Sequence, residues 1–130
     1  MNRKSTLEEL KNILGALGGA NSTVGVLPEC PTSDIVLRTP CYFSFFVIEE
    51  NPQALQDRFR KAQAEILNAN GSGDLAWPRD INLVFLLSSE RPAGEALRRE
   101  LLDDRHGCRK FIVSVNGDVA KALAVLPFGP

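Results

Sequence analysis

Residues 81–87 read Ile-Asn-Leu-Val-Phe-Leu-Leu (INLVFLL), and this run decides the fold class. Apart from Asn82 it is apolar on both alternating faces, a pattern that suits a strand covered on both sides. Residues 41–48 (CYFSFFVI) read the same way. Two doubly covered strands need a layer on each face, and the segment between them supplies a helix for one. Asn51 offers the N-cap and Pro52 sits in the first turn, where a missing amide is harmless. Leu55, Phe59, Ala62 and Ile66 make the apolar stripe, with Asp57, Arg58, Lys61 and Glu65 on or beside the wet side. Residues 68–74 (NANGSGD) read as a loop or turn by composition.

Working outward, Pro92 opens a helix expected to run to about Asp104, with Glu95 placed to pair with Arg99 at i,i+4. Residues 111–115 form a third strand, with Phe111, Val113 and Val115 facing one way. Asn116-Gly117 turns the chain, and Asp118 caps a short helix through Leu126; a hairpin at Asn-Gly is the rival reading. At the other end, Ser5 and Glu8 form a capping box ahead of Leu7, Leu10, Leu14 and Leu17 at helical spacing. Residues 1–20 are thus an amphipathic helix ending at Gly18-Gly19. Residues 21–40 are a connection holding Pro28, Pro31 and Pro40, with room for short extended pieces at 23–27 and 35–37. It reads as an ordered loop, an edge strand or a mobile link.

Strands alternating with helices predict one small α/β domain of about three main strands, in a mostly parallel or mixed sheet. The 130 residues suit a single domain spanning 1–130. With 44% hydrophobic and 24% charged residues, the composition excludes a wholly disordered polar chain. A formal charge of −1, with no basic excess in either half, argues against a dedicated nucleic-acid binder. No apolar run approaches the ~18 residues of a membrane span. The basic amino-terminal residues lead into Glu8, Glu9 and Lys11 rather than a signal-peptide core. Cytoplasmic residence is the expectation.

Candidate chemistry is sparse. Cys30, Cys41, His106 and Cys108 are the possible zinc ligands, but structural zinc sites use paired ligands on tight loops, and buried thiols are the plainer reading. A cysteine nucleophile needs a base, and His106 beside Asp103 and Asp104 is the single histidine on offer. For a magnesium-dependent nuclease, Lys110 stands at a strand start but Cys108 occupies the position that needs an acid, and Asp80 has no partner acid. Neither a Walker sequence nor a dinucleotide fingerprint occurs. No catalytic, cofactor or metal residues are therefore assigned. The densest positive feature gathers Arg91, Arg98, Arg99, Arg105, Arg109 and Lys110, interleaved with Glu90, Glu95, Glu100, Asp103 and Asp104, so a solvated face is the default reading. The alternative is a partner interface of Arg98, Arg99, Arg105, Arg109 and Lys110 with Trp77, since arginine and tryptophan are enriched at hot spots, while Trp77 also reads as a buried anchor under its loop.

One set of residues carries a resemblance. A tryptophan turn and an Asp-x-Asn strand start (Trp77, Asp80, Asn82) lead into LVFLL. A Cys-Arg-Lys strand start (Cys108, Arg109, Lys110) and a Leu-Pro-Phe tail (Leu126 to Phe128) follow. Over roughly residues 74–128 this resembles the middle component of bacterial ABC-three-component conflict systems, encoded between an SMC-like ATPase and an effector. The resemblance implies a non-catalytic adaptor of a defence complex that docks on the SMC-like ABC ATPase and couples nucleic-acid sensing to release of the effector; no cofactor and no direct contact of this chain with nucleic acid are expected. It also implies a scaffold role for the Cys-Arg-Lys segment, with Asp103 or Asp104 neutralising Arg109. The competing expectations are a small divergent hydrolase or nuclease, and the amino-terminal accessory domain of a longer ATPase.

Overall fold

The computed structural model describes residues 3–17, 21–72, 77–87, 98–100, 108–115, 118–124 and 126. Helix α1 (Arg3–Leu17) is followed by strands β1 (Thr23–Gly25), β2 (Ile35–Arg38) and β3 (Tyr42–Glu49). A 3-10 turn at Pro52–Ala54 leads into helix α2 (Leu55–Ser72), then come β4 (Asp80–Leu87), β5 (Arg109–Ser114) and a short helix α3 (Val119–Leu123). Residues 98–100 are also helical. The strands form one mixed sheet in the order β1-β2-β3-β4-β5. β1, β2 and β3 run as an antiparallel meander, and β3, β4 and β5 are parallel.

The sheet is the middle of three layers. On one face α2 lays Leu55, Phe59, Ala62 and Ile66 against Val36, Phe45, Val47, Leu83, Phe85 and Ile112. On the other, α1 and α3 bring Leu10, Leu14, Val119 and Leu123 onto Ile35, Phe46, Ile48, Val84, Leu86 and Val113. This double cover is why β3 and β4 are apolar on both faces. Phe45, Phe46 and Phe85 are fully buried, and each such side chain contributes roughly 1.5–3 kcal/mol relative to leaving it in water. Asn51 caps the helical entry, its side chain accepting from the Gln53 amide at 3.0 Å.

The expected α/β class holds, with two additions. The connection at 21–40 contributes two strands: the short pieces expected there are β1 and β2, so the sheet has five strands and β2 is an interior one, with Ile35, Val36 and Leu37 buried. α2 also continues through residues 68–72, where composition indicates a turn. Ala69 is buried against the same core as Ile66, so another turn of helix buries apolar surface that a loop would leave exposed. α1 starts at Arg3, which puts Ser5 inside the helix rather than at its cap. Asp118 caps α3 as expected, its carboxylate accepting from the Lys121 amide at 3.1 Å. The helix expected from Pro92 is seen at 98–100, and its remainder lies outside the described residues. No helix among the described residues is long and apolar enough to cross a membrane.

Candidate functional site

The strand-start residues singled out above are neighbours in space. Parallel pairing puts Ser44 opposite Asn82 and Asn82 opposite Arg109, so one row crosses three strands. Asn82, fully buried, donates from Nδ2 to Ser44 Oγ at 3.2 Å and accepts from Arg109 Nε at 3.2 Å. Arg109 also lies over the Phe111 ring, 6.0 Å from its centroid. Its partner in the structure is thus an amide; Asp103 and Asp104 lie outside the described residues.

Lys110 points to the opposite face. It is 5% exposed and its ammonium sits 5.8 Å from the Phe59 ring centroid, which takes its side chain away from the surface. Trp77 is half-buried, with its ring 5.3 Å from Phe43 and 5.6 Å from Phe45. It closes the bottom of the α2 core. Arg99 is exposed, Arg98 is half-buried, and Arg105 and His106 lie outside the described residues. Cys30 and Cys108 are buried and Cys41 is exposed. Burial, and then the nearby Glu65 and Glu29 carboxylates, push the Cys30 thiol up to about 11, so at neutral pH it is protonated and a poor nucleophile. Among the described residues no three His, Cys, Asp or Glu side chains gather as metal ligands would.

Two polar constellations were not anticipated. The first centres on Arg58 of α2. Its Nη1 donates to the Ile48 carbonyl at 2.8 Å and to Glu49 Oε1 at 3.3 Å, and its Nη2 donates to the Thr32 carbonyl at 2.9 Å. Asp34 Oδ2 stands 3.6 Å from the same guanidinium and accepts from the Ile48 amide at 2.7 Å. Two turns further along the same face of α2, Glu65 accepts from both the amide and the hydroxyl of Thr32, at 2.8 and 2.6 Å. Together these bonds lash the segment before β2 to α2. Every carboxylate in the group is committed to a donor of the chain itself, so the arrangement is a clamp.

The second surrounds β5. A cavity of about 370 Å³ is lined by Arg98, Ile112, Val113, Ser114, Asp118, Lys121 and Ala122. Ile112 belongs to the α2 face and Val113 to the α1/α3 face. A cavity touching both must therefore lie at the edge of the strand, not on either face. The backbone agrees: the Val115 amide donates to the Leu87 carbonyl at 2.9 Å, so alternate residues 113 and 115 turn their polar groups toward β4. Ile112 and Ser114 turn theirs away from it. β5 is the outer strand of the sheet, and the outward groups of Ile112 and Ser114 have no protein partner among the described residues. The walls are cationic. Arg98 rises from the α2 side, where Gln56 Nε2 donates to the neighbouring Glu100 at 3.3 Å, and Lys121 rises from α3. Neither cation has an ion-pair partner among the described residues.

Of the sequence candidates, then, the structure brings Arg109 to Asn82 and places Arg98 at the β5 cavity, while Trp77 and Lys110 serve the α2 core. The site members that sequence reading missed are Ser114 and Lys121. Their only signal is the Asp118 cap, which turns α3 back beside β5. The fold and this edge define a mixed five-strand α/β domain with an open, basic-walled strand. Comparison with protein-family models, with curated proteins and with solved structures gave no match for this chain.

Proposed function

We propose that the protein is a non-catalytic adaptor, working in the bacterial cytoplasm as a subunit of a defence assembly that joins an SMC-like ABC ATPase to an effector. The observation that supports this reading is the Ser44–Asn82–Arg109 row. The Asp-x-Asn and Cys-Arg-Lys strand starts carry the resemblance to the middle component of ABC-three-component systems, and they engage each other across the sheet. Asn82 and Arg109 spend their polar groups on a bonded row across β3, β4 and β5, which is a scaffold's use of such residues. Arg98, which has no ion-pair partner among the described residues, is what this scaffold offers a partner, and arginine is favoured at such contacts.

The test is native affinity capture of the tagged chain from its own cell, followed by mass spectrometry of the eluate. A stoichiometric SMC-like ATPase is the expected result. Recovery of the chain alone, at low salt and with nucleotide added, would refute the adaptor. In that event the exposed Cys41 thiol and His106 become the groups to test for hydrolase activity.

A further inference from the structure

From the edge of β5 we infer that the protein binds its partner by strand addition: an extended, acidic peptide segment of that partner pairs with the outward backbone of Ile112 and Ser114. This rests on the adaptor reading and specifies its contact. Three observations point the same way. The outer strand offers amide and carbonyl groups at residues 112 and 114 with no protein partner among the described residues. An open strand edge of this kind is a template for another strand, and main-chain pairing supplies affinity without demanding a particular sequence.

The second observation is shape. The cavity of about 370 Å³ has the strand as its floor, with Arg98 on one side and Lys121 and Ala122 of α3 on the other. A strand laid beside β5 sends alternate side chains to these two walls. The third is charge. Arg98 is half-buried and Lys121 exposed, and neither has an ion-pair partner among the described residues. Asp118 on the rim is committed to capping α3. Acidic side chains from the incoming strand match both walls, and apolar ones between them meet Ile112 and Ala122.

β1 at the opposite edge supplies a contrast. It is three residues long, and short edge strands are how sheets discourage pairing.

The experiment measures binding of purified variants to the captured ATPase, with hydrogen exchange of the free and bound full-length chain. Ser114→Pro removes one outward amide while leaving the bonds to β4 intact, since proline is tolerated on an edge strand where its nitrogen faces outward. It is expected to weaken binding by about tenfold or more, the scale of one lost main-chain bond in a dry interface. Arg98→Glu and Lys121→Glu are each expected to weaken it by a similar factor, with the loss growing at low salt. In the wild-type complex the amides of residues 112 and 114 are expected to slow in exchange.

If the wild type captures no ATPase, the adaptor reading fails. If it captures one and all three variants bind as the wild type does, the adaptor stands and strand addition is wrong. Loss in the two charge variants with Ser114→Pro unaffected would likewise overturn it, showing a pocket that takes an anion without main-chain pairing. Should Ser114→Pro fail to fold, the charge variants and the exchange at 112 and 114 decide the matter.

Discussion

Arg58 and Arg98 are both half-buried arginines on helical segments of the same side of the sheet, yet they are used in opposite ways. Arg58 spends its guanidinium on two backbone carbonyls, Glu49 and Asp34, all inside the chain. Arg98 has no ion-pair partner among the described residues and lines an open cavity. Removing a group of the first kind strands others without water; removing one of the second kind strands no ion-pair partner among the described residues. Composition treats the two residues as equals, so only the positions of their partners separate a structural cation from an available one.

The strongest test of that contrast is Arg58→Ala. It leaves the carbonyls of Ile48 and Thr32 without this donor and removes the cation beside Asp34, whose side chain is 6% exposed. Breaking a fully buried pair costs about 3–5 kcal/mol, and Arg58 keeps some contact with water, so a loss of about 2–4 kcal/mol is expected in urea unfolding. A loss below about 0.5 kcal/mol, the level typical of open surface sites, would show that the clamp contributes nothing. Lys61, paired with Asp57 at 4.0 Å on exposed side chains, is the comparator and is expected to lose at most about 0.5 kcal/mol as alanine.

Asn82→Ala comes next in size. The variant leaves Ser44 and Arg109 without their shared partner and opens a small void in a fully buried site. A loss of about 1–3 kcal/mol is expected from the unsatisfied groups. The double variant Asn82→Ala, Arg109→Ala should lose less than the sum of the two single changes, because both remove the same bond. Strict additivity would mean that the polar row is not a coupled unit.

A third prediction concerns pH. The Cys30 thiol is neutral when protonated, and its pKa is raised from 9.0 to about 11 in the folded chain. The folded state therefore holds this proton more tightly than the unfolded state does. The associated stability is complete below pH 9 and is lost as pH climbs from 9 toward 11. Tyr42, raised mainly by burial, acts in the same direction. Thermal midpoints at pH 8 and pH 10.5 should fall further apart for the wild type than for Cys30→Ala. In the native chain at pH 8 a thiol reagent should label the exposed Cys41 quickly and Cys30 and Cys108 slowly.

These contrasts also explain what could be read from the sequence. The runs at 41–48 and 81–87 are local signals, because a strand covered on both faces is apolar at every position. Phe59 and Ile66 on α2 were legible for a similar reason, since helical periodicity is local. Ala69 was not: its burial depends on the sheet beneath it, and Asn68, Asn70 and Gly71 around it have the composition of a turn. The Arg58 clamp was invisible because its bonds reach back 9, 10 and 26 residues to a neighbouring strand and loop. Arg98 was read as one of a basic group, but its distinction from Lys110 comes from tertiary packing, which buries Lys110 over the Phe59 ring and leaves Arg98 lining the cavity at the edge of β5.

The smallest expected effect sharpens the comparison most. Arg98→Ala should leave urea stability within about 0.5 kcal/mol of the wild type, as for a change that breaks no ion pair among the described residues. A side chain held half-buried with no ion-pair partner among the described residues is a cost to the isolated fold unless its stem packs well. Its removal is therefore expected to be neutral or slightly stabilising. A loss on the scale of Arg58→Ala would erase the difference between the two arginines and make Arg98 a second clamp. Neutral stability combined with weakened capture of the partner would separate the two roles cleanly: one guanidinium holding the fold together, the other held out by it.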